Sequence, residues 1–216
     1  MKKLILYDLD GTLVDTGEDI ADAANAMLHE LQGAPLPHEE IRRLVGHGLH
    51  DLVKRCLKTE DPLLIERGVQ LFGLHYGRHL FDHSRLYPAA RELVDYFRTR
   101  AQAVVTNKPS PYAEELLRGL GIAGSFMAII AGGSAYPKKP DPAAVRALMQ
   151  RVQATAEETL LIGDSPVDVD TGRRAGVPTV IVRHGFADPE ALAAAGPEWL
   201  VDDLAAVLAL AQERGW

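Results

Sequence analysis

The chain has few of the features on which several classes of protein depend. Its 216 residues include one cysteine, Cys56, so an internal disulfide bond is excluded. Lysine and arginine number 23 against 30 aspartate and glutamate residues, and the net charge of −7 argues against a nucleic-acid-binding surface. No apolar run approaches the ~20 residues that a membrane-spanning helix needs. We therefore expect a cytoplasmic protein with no membrane or nucleic-acid partner, in which Cys56 is a packed core thiol.

The composition that is present is ordinary for a globular protein, with 47% hydrophobic and 25% charged residues, and the length suits one large or two small domains. Short apolar runs bounded by turn or polar residues predict five strands. These are Leu4–Leu9, Ala103–Thr106, Met127–Ala131, Thr159–Ile162 and Thr179–Val182. Because helix signals alternate with these runs, we expect an α/β fold with a doubly wound, Rossmann-like parallel sheet covered by helices on both faces.

Five helix starts are marked by a capping residue that stands directly before a proline. Proline suits the first helical position, since its fixed backbone torsion fits a helix and its missing N–H needs no partner there. Each pair therefore predicts a helix that begins at the proline. The pairs are Asp61-Pro62, Ser110-Pro111, Asp141-Pro142, Ser165-Pro166 and Asp188-Pro189.

Residues 16–83 interrupt the alternation of strands and helices. This segment has no strand pattern, and its apolar residues recur at helical spacing. Four helices are predicted in it, over Ile20–Leu31, Ile41–Val45, Leu49–Leu57 and from Pro62 to about His79. We therefore predict an α/β core made of 1–15 and 84–216, and a small α-helical domain, 16–83, inserted after the first strand.

Two aspartates, Asp8 and Asp10, stand at the end of the first predicted strand, just before the turn residue Gly11. In open α/β sheets, ligands bind at this edge. Two carboxylates that lie so close repel each other unless a cation or a shared proton offsets their charge, and oxygen ligands of this kind suit Mg²⁺. Taken alone, the pair is explained equally well by an ordinary solvated turn.

Polar residues also follow three other predicted strands, and parallel pairing would bring them to the same edge. Thr106 and Asn107 offer a hydroxyl and an amide to an anion, although a strand end followed by a turn also explains them. Lys139 offers a positive charge to a phosphate, unless it is an ordinary surface lysine. Asp164 and Asp168 lie one helical turn apart and can face one point; a role for Asp168 beside the helix dipole is the alternative.

The charge of this collection calls for a cation. With the four aspartates ionised and Lys139 protonated, the side chains sum to about −3. A phosphate dianion would not enter such a site without additional positive charge. Bound Mg²⁺ brings the sum to about −1, so we expect magnesium as the cofactor.

These residues resemble the four motifs of the haloacid dehalogenase-like hydrolase superfamily, in the same order and across the whole chain. The motifs are Asp8–Thr12, Thr106–Asn107, Lys139–Pro140 and Gly163–Asp168. The helical insert resembles the small cap of that superfamily. Two further segments, Val105–Pro109 and Val45–Gly48, are similar to its phosphoglycolate phosphatases.

The resemblance implies roles for the aspartates. Asp8 would attack phosphorus and form an aspartyl-phosphate, while Asp10 would protonate the leaving alcohol and then activate water. The metal would be held by a side-chain oxygen of Asp8, the backbone carbonyl of Asp10 and a side-chain oxygen of Asp164. Asp168 would bind a metal-coordinated water or orient Lys139.

The resemblance also implies which residues bind the phosphoryl group. Thr106 and Lys139 would hold its oxygens as charge spreads in the transition state. Asn107 would assist through its backbone, and Thr12 belongs to the same phosphate-binding set.

Substrate selection would depend on the insert, which is expected to close over the site and exclude water. Gly46 and Gly48 would let their loop approach the substrate closely. His47 would touch the far end of the substrate, where Lys54 or Arg55 would meet a carboxylate. The alternative is that His47 is an ordinary loop residue.

The resulting prediction is a Mg²⁺-dependent phosphomonoesterase that acts on a small phosphorylated metabolite, with 2-phosphoglycolate as the expected substrate, as a monomer or homodimer. A sugar phosphomutase like β-phosphoglucomutase, or another small-molecule phosphatase of the superfamily, is the alternative enzyme. A phospho-acceptor receiver domain is the non-enzymatic alternative, although its acidic pair would precede the acceptor. His75, His79 and His83 recur every four residues and are interpreted as a solvated helix face.

Overall fold

The computed structural model describes all 216 residues, with eight strands and ten α-helices. The strands are β1 (Leu4–Tyr7), β2 (Val14–Asp15), β3 (Arg85–Leu86), β4 (Ala101–Pro109), β5 (Ala128–Gly132), β6 (Thr159–Gly163), β7 (Thr179–Val182) and β8 (Trp199–Val201). The helices are α1 (Gly17–Glu30), α2 (His38–Arg43), α3 (Leu49–Leu57), α4 (Pro62–Arg78), α5 (Ala90–Tyr96), α6 (Tyr112–Gly119), α7 (Ala143–Val152), α8 (Pro166–Ala175), α9 (Pro189–Ala195) and α10 (Leu204–Arg214). None of these helices combines the length and the hydrophobicity that crossing a membrane requires.

Six strands form one parallel sheet in the order β5-β4-β1-β6-β7-β8, which confirms the predicted α/β class. The central strand β1 pairs with β4 on one side and β6 on the other, so Tyr7 lies opposite both Val104 and Ile162. Alternate residues of β1 point to opposite faces of the sheet. Ile5 and Tyr7 therefore join one apolar cluster while Leu4 and Leu6 join another, and the strand is buried on both faces.

Four helices, α1 to α4, lie between β2 and β3, and the segment from 16 to 83 contains no strand, as predicted. The two short strands pair antiparallel, with Val14 opposite Leu86, so the chain leaves and re-enters the core at neighbouring points. Residues of the helical insert, such as Met27 and Phe72, belong to the same cluster of 37 buried residues as Ile5 of the sheet. The division into two domains at residues 15 and 83 stays a prediction.

Three of the five proline-marked helix starts are correct, those at Pro62, Pro166 and Pro189. In the other two cases the proline precedes the first helical residue by one position, and α6 and α7 begin at Tyr112 and Ala143. The Asp141 carboxylate still accepts a hydrogen bond from the Ala143 backbone N–H at 2.9 Å. The aspartate thus partners an N–H of the first turn, although the helix begins one residue late.

The predicted strands exist, but their ends differ from the prediction. Thr179–Val182 is correct, whereas β1 ends at Tyr7, two residues before the predicted end. Strand β4 is longer than predicted, since a register shift lets pairing with β5 continue to Pro109. The sequence did not indicate three strands, β2, β3 and β8, which have only two or three residues each and so are too short to show a pattern.

Cys56 lies in the insert with 4% of its surface exposed. Burial raises the pKa of its thiol to about 11, so the side chain remains uncharged at neutral pH. The prediction of a packed core thiol is confirmed.

Candidate active site

The carboxyl edge of the sheet gathers the polar residues that follow neighbouring strands. Asp8 follows β1, Thr106 and Asn107 lie in β4, and Asp164 follows β6, each of them buried. Lys139 lies in the connection after β5 and is 5% exposed, so it is not a surface lysine. The parallel pairing of β4, β1 and β6 places their ends side by side, as the sequence led us to expect.

Lys139 is the centre of a buried ionic network. Its Nζ lies 2.9 Å from Asp8 Oδ1 and 2.7 Å from Asp168 Oδ1. Burial opposes its charge, but the carboxylates of Asp168 and Asp8 more than offset this and raise the pKa of Lys139 above its usual value. The side chain is therefore a fixed cation beside Asp8.

Asp168 is held in place by the start of α8. Its Oδ2 accepts hydrogen bonds from the Ser165 hydroxyl at 2.6 Å and from the backbone N–H groups of Ser165 and Asp164 at 3.2 and 3.3 Å. Its other oxygen contacts Lys139. Asp168 thus both stabilises the first turn of α8 and orients Lys139, so the two interpretations of this residue are compatible.

Asp8, Asp164 and Asp168 form an acidic cluster in which one carboxylate oxygen from each lies within 4.8 Å of the others. Burial, together with the neighbouring charges of Asp8 and Asp168, raises the pKa of Asp164 well above its usual value. Burial is also the main reason that the pKa of Asp8 rises to about 6, against the opposing effect of Lys139. The ionised cluster is costly without a further cation.

The donor set fits a hard divalent cation such as Mg²⁺. Carboxylate and carbonyl oxygens are the ligands that such ions prefer. No backbone N–H donates to the carbonyl of Asp10, which stands two residues beyond Asp8. The side chains of Asp8 and Asp164 and the carbonyl of Asp10 are therefore suitable ligands.

Two glycines enclose Asp164. A Cβ atom at either Gly11 or Gly185 would overlap the Asp164 carboxylate, and Gly11 also has a φ of +77°. The carboxylate accepts hydrogen bonds from the Thr12 hydroxyl and the Phe186 backbone N–H, both at 2.9 Å. Sequence reasoning missed Gly185 and Phe186, since nothing near them indicates a contact with a residue some twenty positions earlier.

The side chain of Asp10 is directed to different partners from that of Asp8. Its Oδ1 accepts hydrogen bonds from the Thr16 hydroxyl at 2.7 Å and from Lys108 Nζ at 2.9 Å. Lys108 is itself buried and donates to the Tyr76 hydroxyl at 2.6 Å. Sequence reasoning missed Lys108; the available signal was its position two residues after Thr106, on the same side of β4.

Lys108 corrects the charge expected for the site. With four aspartates ionised and both Lys108 and Lys139 protonated, the side chains sum to about −2 rather than −3. The sum remains negative, so a phosphate dianion still needs a cation in order to bind. A divalent ion would neutralise the group.

The Asn107 side chain is fully engaged with the protein. Its amide donates to the backbone carbonyls of Gly46 at 2.9 Å and Lys139 at 3.0 Å, and its oxygen accepts from the Lys139 N–H at 2.9 Å. The side chain therefore fixes the backbone of Lys139 and joins the Gly46 loop to the sheet. Only the backbone of Asn107 therefore remains free for the predicted contribution to phosphate binding.

A cavity lies between the helical insert and the sheet edge. At the sheet it is bordered by Asp8, Asp10, Thr106, Lys108 and Asp164, whereas the insert contributes mainly apolar side chains. These apolar residues are Ile20, Val45, Leu49, Leu52 and Phe72. Among the residues predicted for substrate contact, Gly46 and Gly48 line the cavity.

Several predicted contacts with substrate are absent from the cavity. His47 is exposed and does not line it, because the loop presents its two glycines there instead. Thr12 is fully buried, and its hydroxyl donates to Asp164 rather than facing the cavity. Lys54 and Arg55 pair with acidic neighbours on the surface of the insert, at 2.8 and 2.7 Å.

The three periodic histidines do not meet one another. Each contacts its own carboxylate, and His79 and His83 are about half exposed. The pairs are His75 with Glu30 at 2.6 Å, His79 with Asp82 at 2.7 Å and His83 with Glu18 at 3.3 Å. The histidines are solvated to different degrees, but only His75 lies within α4, which ends at Arg78, so the predicted single helix face is not formed.

Comparison with known proteins gives consistent matches over the length of the chain. A sequence family described as haloacid dehalogenase-like hydrolase matches residues 5–182. A phosphoglycolate phosphatase of Rhodospirillum rubrum is 35% identical over 217 aligned positions, which cover 96% of this chain and 90% of the relative. A plasmid phosphoglycolate phosphatase of Cupriavidus necator is 37% identical, with 95% and 91% covered.

Solved structures give the same match at the level of the fold. The crystal structure of a predicted phosphoglycolate phosphatase from Haemophilus somnus 129pt superposes with a TM-score of 0.91 at 30% identity, and 97% of each chain is covered. The similarity therefore includes the insert as well as the sheet.

Proposed function

The chain belongs to the haloacid dehalogenase-like hydrolase family, and we propose that it hydrolyses 2-phosphoglycolate to glycolate and phosphate. The relatives that match it over nearly their whole length are phosphoglycolate phosphatases. The observation that carries the reaction class is the buried Lys139, which bridges Asp8 and Asp168 beside Asp164. This arrangement places an oriented carboxylate at the cavity, with a fixed cation directly behind it and an acidic cluster around it.

Asp8 is the nucleophile in this proposal. Its Oδ1 is held by the Leu9 N–H at 2.7 Å and by Lys139 at 2.9 Å, which fixes the direction of the carboxylate. An oxygen of Asp8 forms a bond to phosphorus as the bond between phosphorus and the ester oxygen breaks. Water then attacks the phosphorus of the aspartyl-phosphate, releasing phosphate and regenerating Asp8.

Asp10 carries the proton in both halves of the reaction. It gives a proton to the departing ester oxygen of glycolate, and it takes one back from the attacking water. Its contacts with Thr16 and Lys108 hold the side chain at the cavity beside Asp8. The protons balance over one turnover.

Lys139 and Thr106 stabilise the charge of the transferring group. Thr106 Oγ1 accepts a hydrogen bond from the Lys108 N–H at 3.2 Å, so its own hydroxyl proton is available to a phosphoryl oxygen. Lys139 adds a positive charge that needs no rearrangement. Asn107 supports both by fixing the backbone of Lys139.

We propose that the metal is Mg²⁺ and that Asp8, the Asp10 carbonyl and Asp164 hold it, with Asp168 outside the ligand set. When bound, it neutralises the excess negative charge of the aspartates and of the phosphoryl oxygens. We also propose that the protein acts in the cytoplasm, because its one cysteine cannot form an internal disulfide, and that it is a monomer or homodimer.

A phosphate-release assay over a panel of phosphorylated metabolites, with and without Mg²⁺, tests this function. We expect 2-phosphoglycolate to have the highest kcat/KM, and the activity to disappear on chelation and return with Mg²⁺. When variants of the acidic site residues are compared in this assay, Asp170→Asn is the matched control and should keep the activity of wild type. Asp170 lies on α8 but pairs with Arg173 at the surface. Isomerisation of β-glucose 1-phosphate without phosphate release would contradict the proposal and favour a mutase.

A further inference from the structure

Lys108 is the only basic residue that borders the cavity. The other polar side chains at its sheet end include three aspartates, and the insert end is mainly apolar. A phosphomonoester with a second negative charge would be repelled by the aspartates and would gain nothing from the apolar wall. Lys108 is therefore the one side-chain cation in the cavity wall that can pair with a second negative charge on the substrate.

The ammonium group of Lys108 has an unused donor. Two of its three N–H groups go to Asp10 at 2.9 Å and to the Tyr76 hydroxyl at 2.6 Å. Because Tyr76 accepts this bond, its own hydroxyl proton remains available, and that proton has no partner in the protein. Burial holds the pKa of Tyr76 well above its usual value, so the hydroxyl stays protonated. Two donors, one from β4 and one from α4, therefore border the cavity together.

The position of both donors is fixed by packing. Lys108 Nζ lies 4.5 Å from the centroid of the Tyr76 ring. Tyr76 stacks on Phe72 with ring centroids 5.3 Å apart and meets Tyr112 edge-on at 5.2 Å. Tyr112 donates in turn to the Gly73 carbonyl at 3.0 Å. Little rotamer freedom is left to lose when a ligand binds.

We infer that Lys108 and Tyr76 bind a carboxylate of the substrate, and that the enzyme selects small phosphomonoesters with a carboxylate next to the ester-bearing carbon. The inference rests on the proposed function, because the phosphoryl group must occupy the end of the cavity at Asp8, behind which Lys139 lies. Lysine and tyrosine donors suit the two oxygens of a carboxylate. Lys54 and Arg55, the sequence-based candidates for this contact, lie outside the cavity.

The test compares 2-phosphoglycolate with its neutral isostere 2-phosphoglycolamide, at saturating Mg²⁺, in the full-length protein. Wild type should favour the acid in kcat/KM. Lys108→Met should reduce this preference by about tenfold to a hundredfold, the value of a hydrogen bond to a charged group, through a loss on the acid. Tyr76→Phe should reduce it less, and Lys108→Arg should restore part of it. Lys54→Met, which removes a surface lysine, is the matched control and should keep the full preference.

The outcomes separate the inference from the proposed function. Equal losses on acid and amide in Lys108→Met would overturn the inference, because Lys108 would then act only through Asp10. An unchanged preference in Lys108→Met, or a loss of preference in Lys54→Met, would overturn it as well. Wild type that favours the amide would instead contradict the proposed substrate before any variant is made. Circular dichroism and thermal unfolding check that each variant is folded.

Discussion

The two ends of the cavity are built differently. At the sheet end, Asp8, Lys139 and Asp168 are buried, and each contacts at least one other member of the group. At the insert end, apolar side chains and the Gly46 and Gly48 backbone form the wall, with the Tyr76 hydroxyl as the main polar group. The sheet end depends most on Lys139, because its loss would leave two buried carboxylates without their cation.

From this difference we expect the sheet end to determine the reaction and the insert end to determine the choice of substrate. In the proposed function, the charged network carries out the reaction at the phosphoryl group, and disturbing it is expected to cost stability. The insert end makes few specific polar contacts, so it can change without loss of the reaction. We therefore expect variants at the sheet end to reduce turnover and stability together, whereas variants at the insert end act on substrate preference.

The largest effect is expected from Lys139→Met. It leaves the Asp8 and Asp168 carboxylates buried without their cation, which costs about 3–5 kcal/mol of unfolding free energy. It also removes a donor to the transition state, for a loss of about 10²–10³ in kcat. Urea unfolding and phosphate release measure the two effects, and Lys138→Met, the exposed neighbour, should show neither. Similar losses in both variants would show that the sheet end has no special network.

The next effect is the pH dependence of the metal-free protein. Folding raises the pKa of Asp8 from 3.8 to about 6, so the folded state favours the protonated carboxyl. The resulting stabilisation is present below about pH 4 and is lost as the pH rises through 6, amounting to about 3 kcal/mol. Urea unfolding in a chelator at pH 5 and 7.5 should show wild type losing more stability than Asp8→Asn. An identical pH profile in Asp8→Asn would contradict this assignment.

Asn107→Ala breaks the link between the two ends. It removes the hydrogen bonds to Gly46 and to the backbone of Lys139, and it leaves their groups partly unpaired, for about 1–3 kcal/mol. We expect KM to rise and kcat to fall, since both the loop and Lys139 lose support. Steady-state kinetics measure this, and a change confined to KM would show that Asn107 serves the insert alone.

The smallest effect is expected from His47→Ala. His47 is exposed and does not border the cavity, so stability should change by no more than about 0.5 kcal/mol. Kinetic constants for 2-phosphoglycolate should stay within error of wild type. A large rise in KM would show that the loop turns His47 inward when substrate binds.

Much of the sheet end could be predicted from local pattern. Buried runs such as Leu4–Tyr7 indicate strands, and alternation with helices indicates parallel pairing, so the residues that follow the strands must meet. The acidic residues and Lys139 were found in this way. The helix beginning at Pro166 was found from its capping pair.

Contacts between distant segments could not be predicted. The pairing of Lys108 with Tyr76 joins a core strand to an insert helix 32 residues away, and no local pattern encodes how those elements approach each other. Gly185 contacts Asp164 only because β7 runs beside β6. Thr12 follows the turn at Gly11, and its direction depends on a backbone torsion that the motif alone does not give.

The central claim, that Asp8 is the nucleophile, is tested most directly by acid quench during turnover of 2-phosphoglycolate with Mg²⁺, followed by peptide mass spectrometry. We expect a phosphoryl adduct on Asp8 in wild type, and neither adduct nor turnover in a folded Asp8→Asn variant. An adduct on another residue, or full turnover by Asp8→Asn, would contradict the claim.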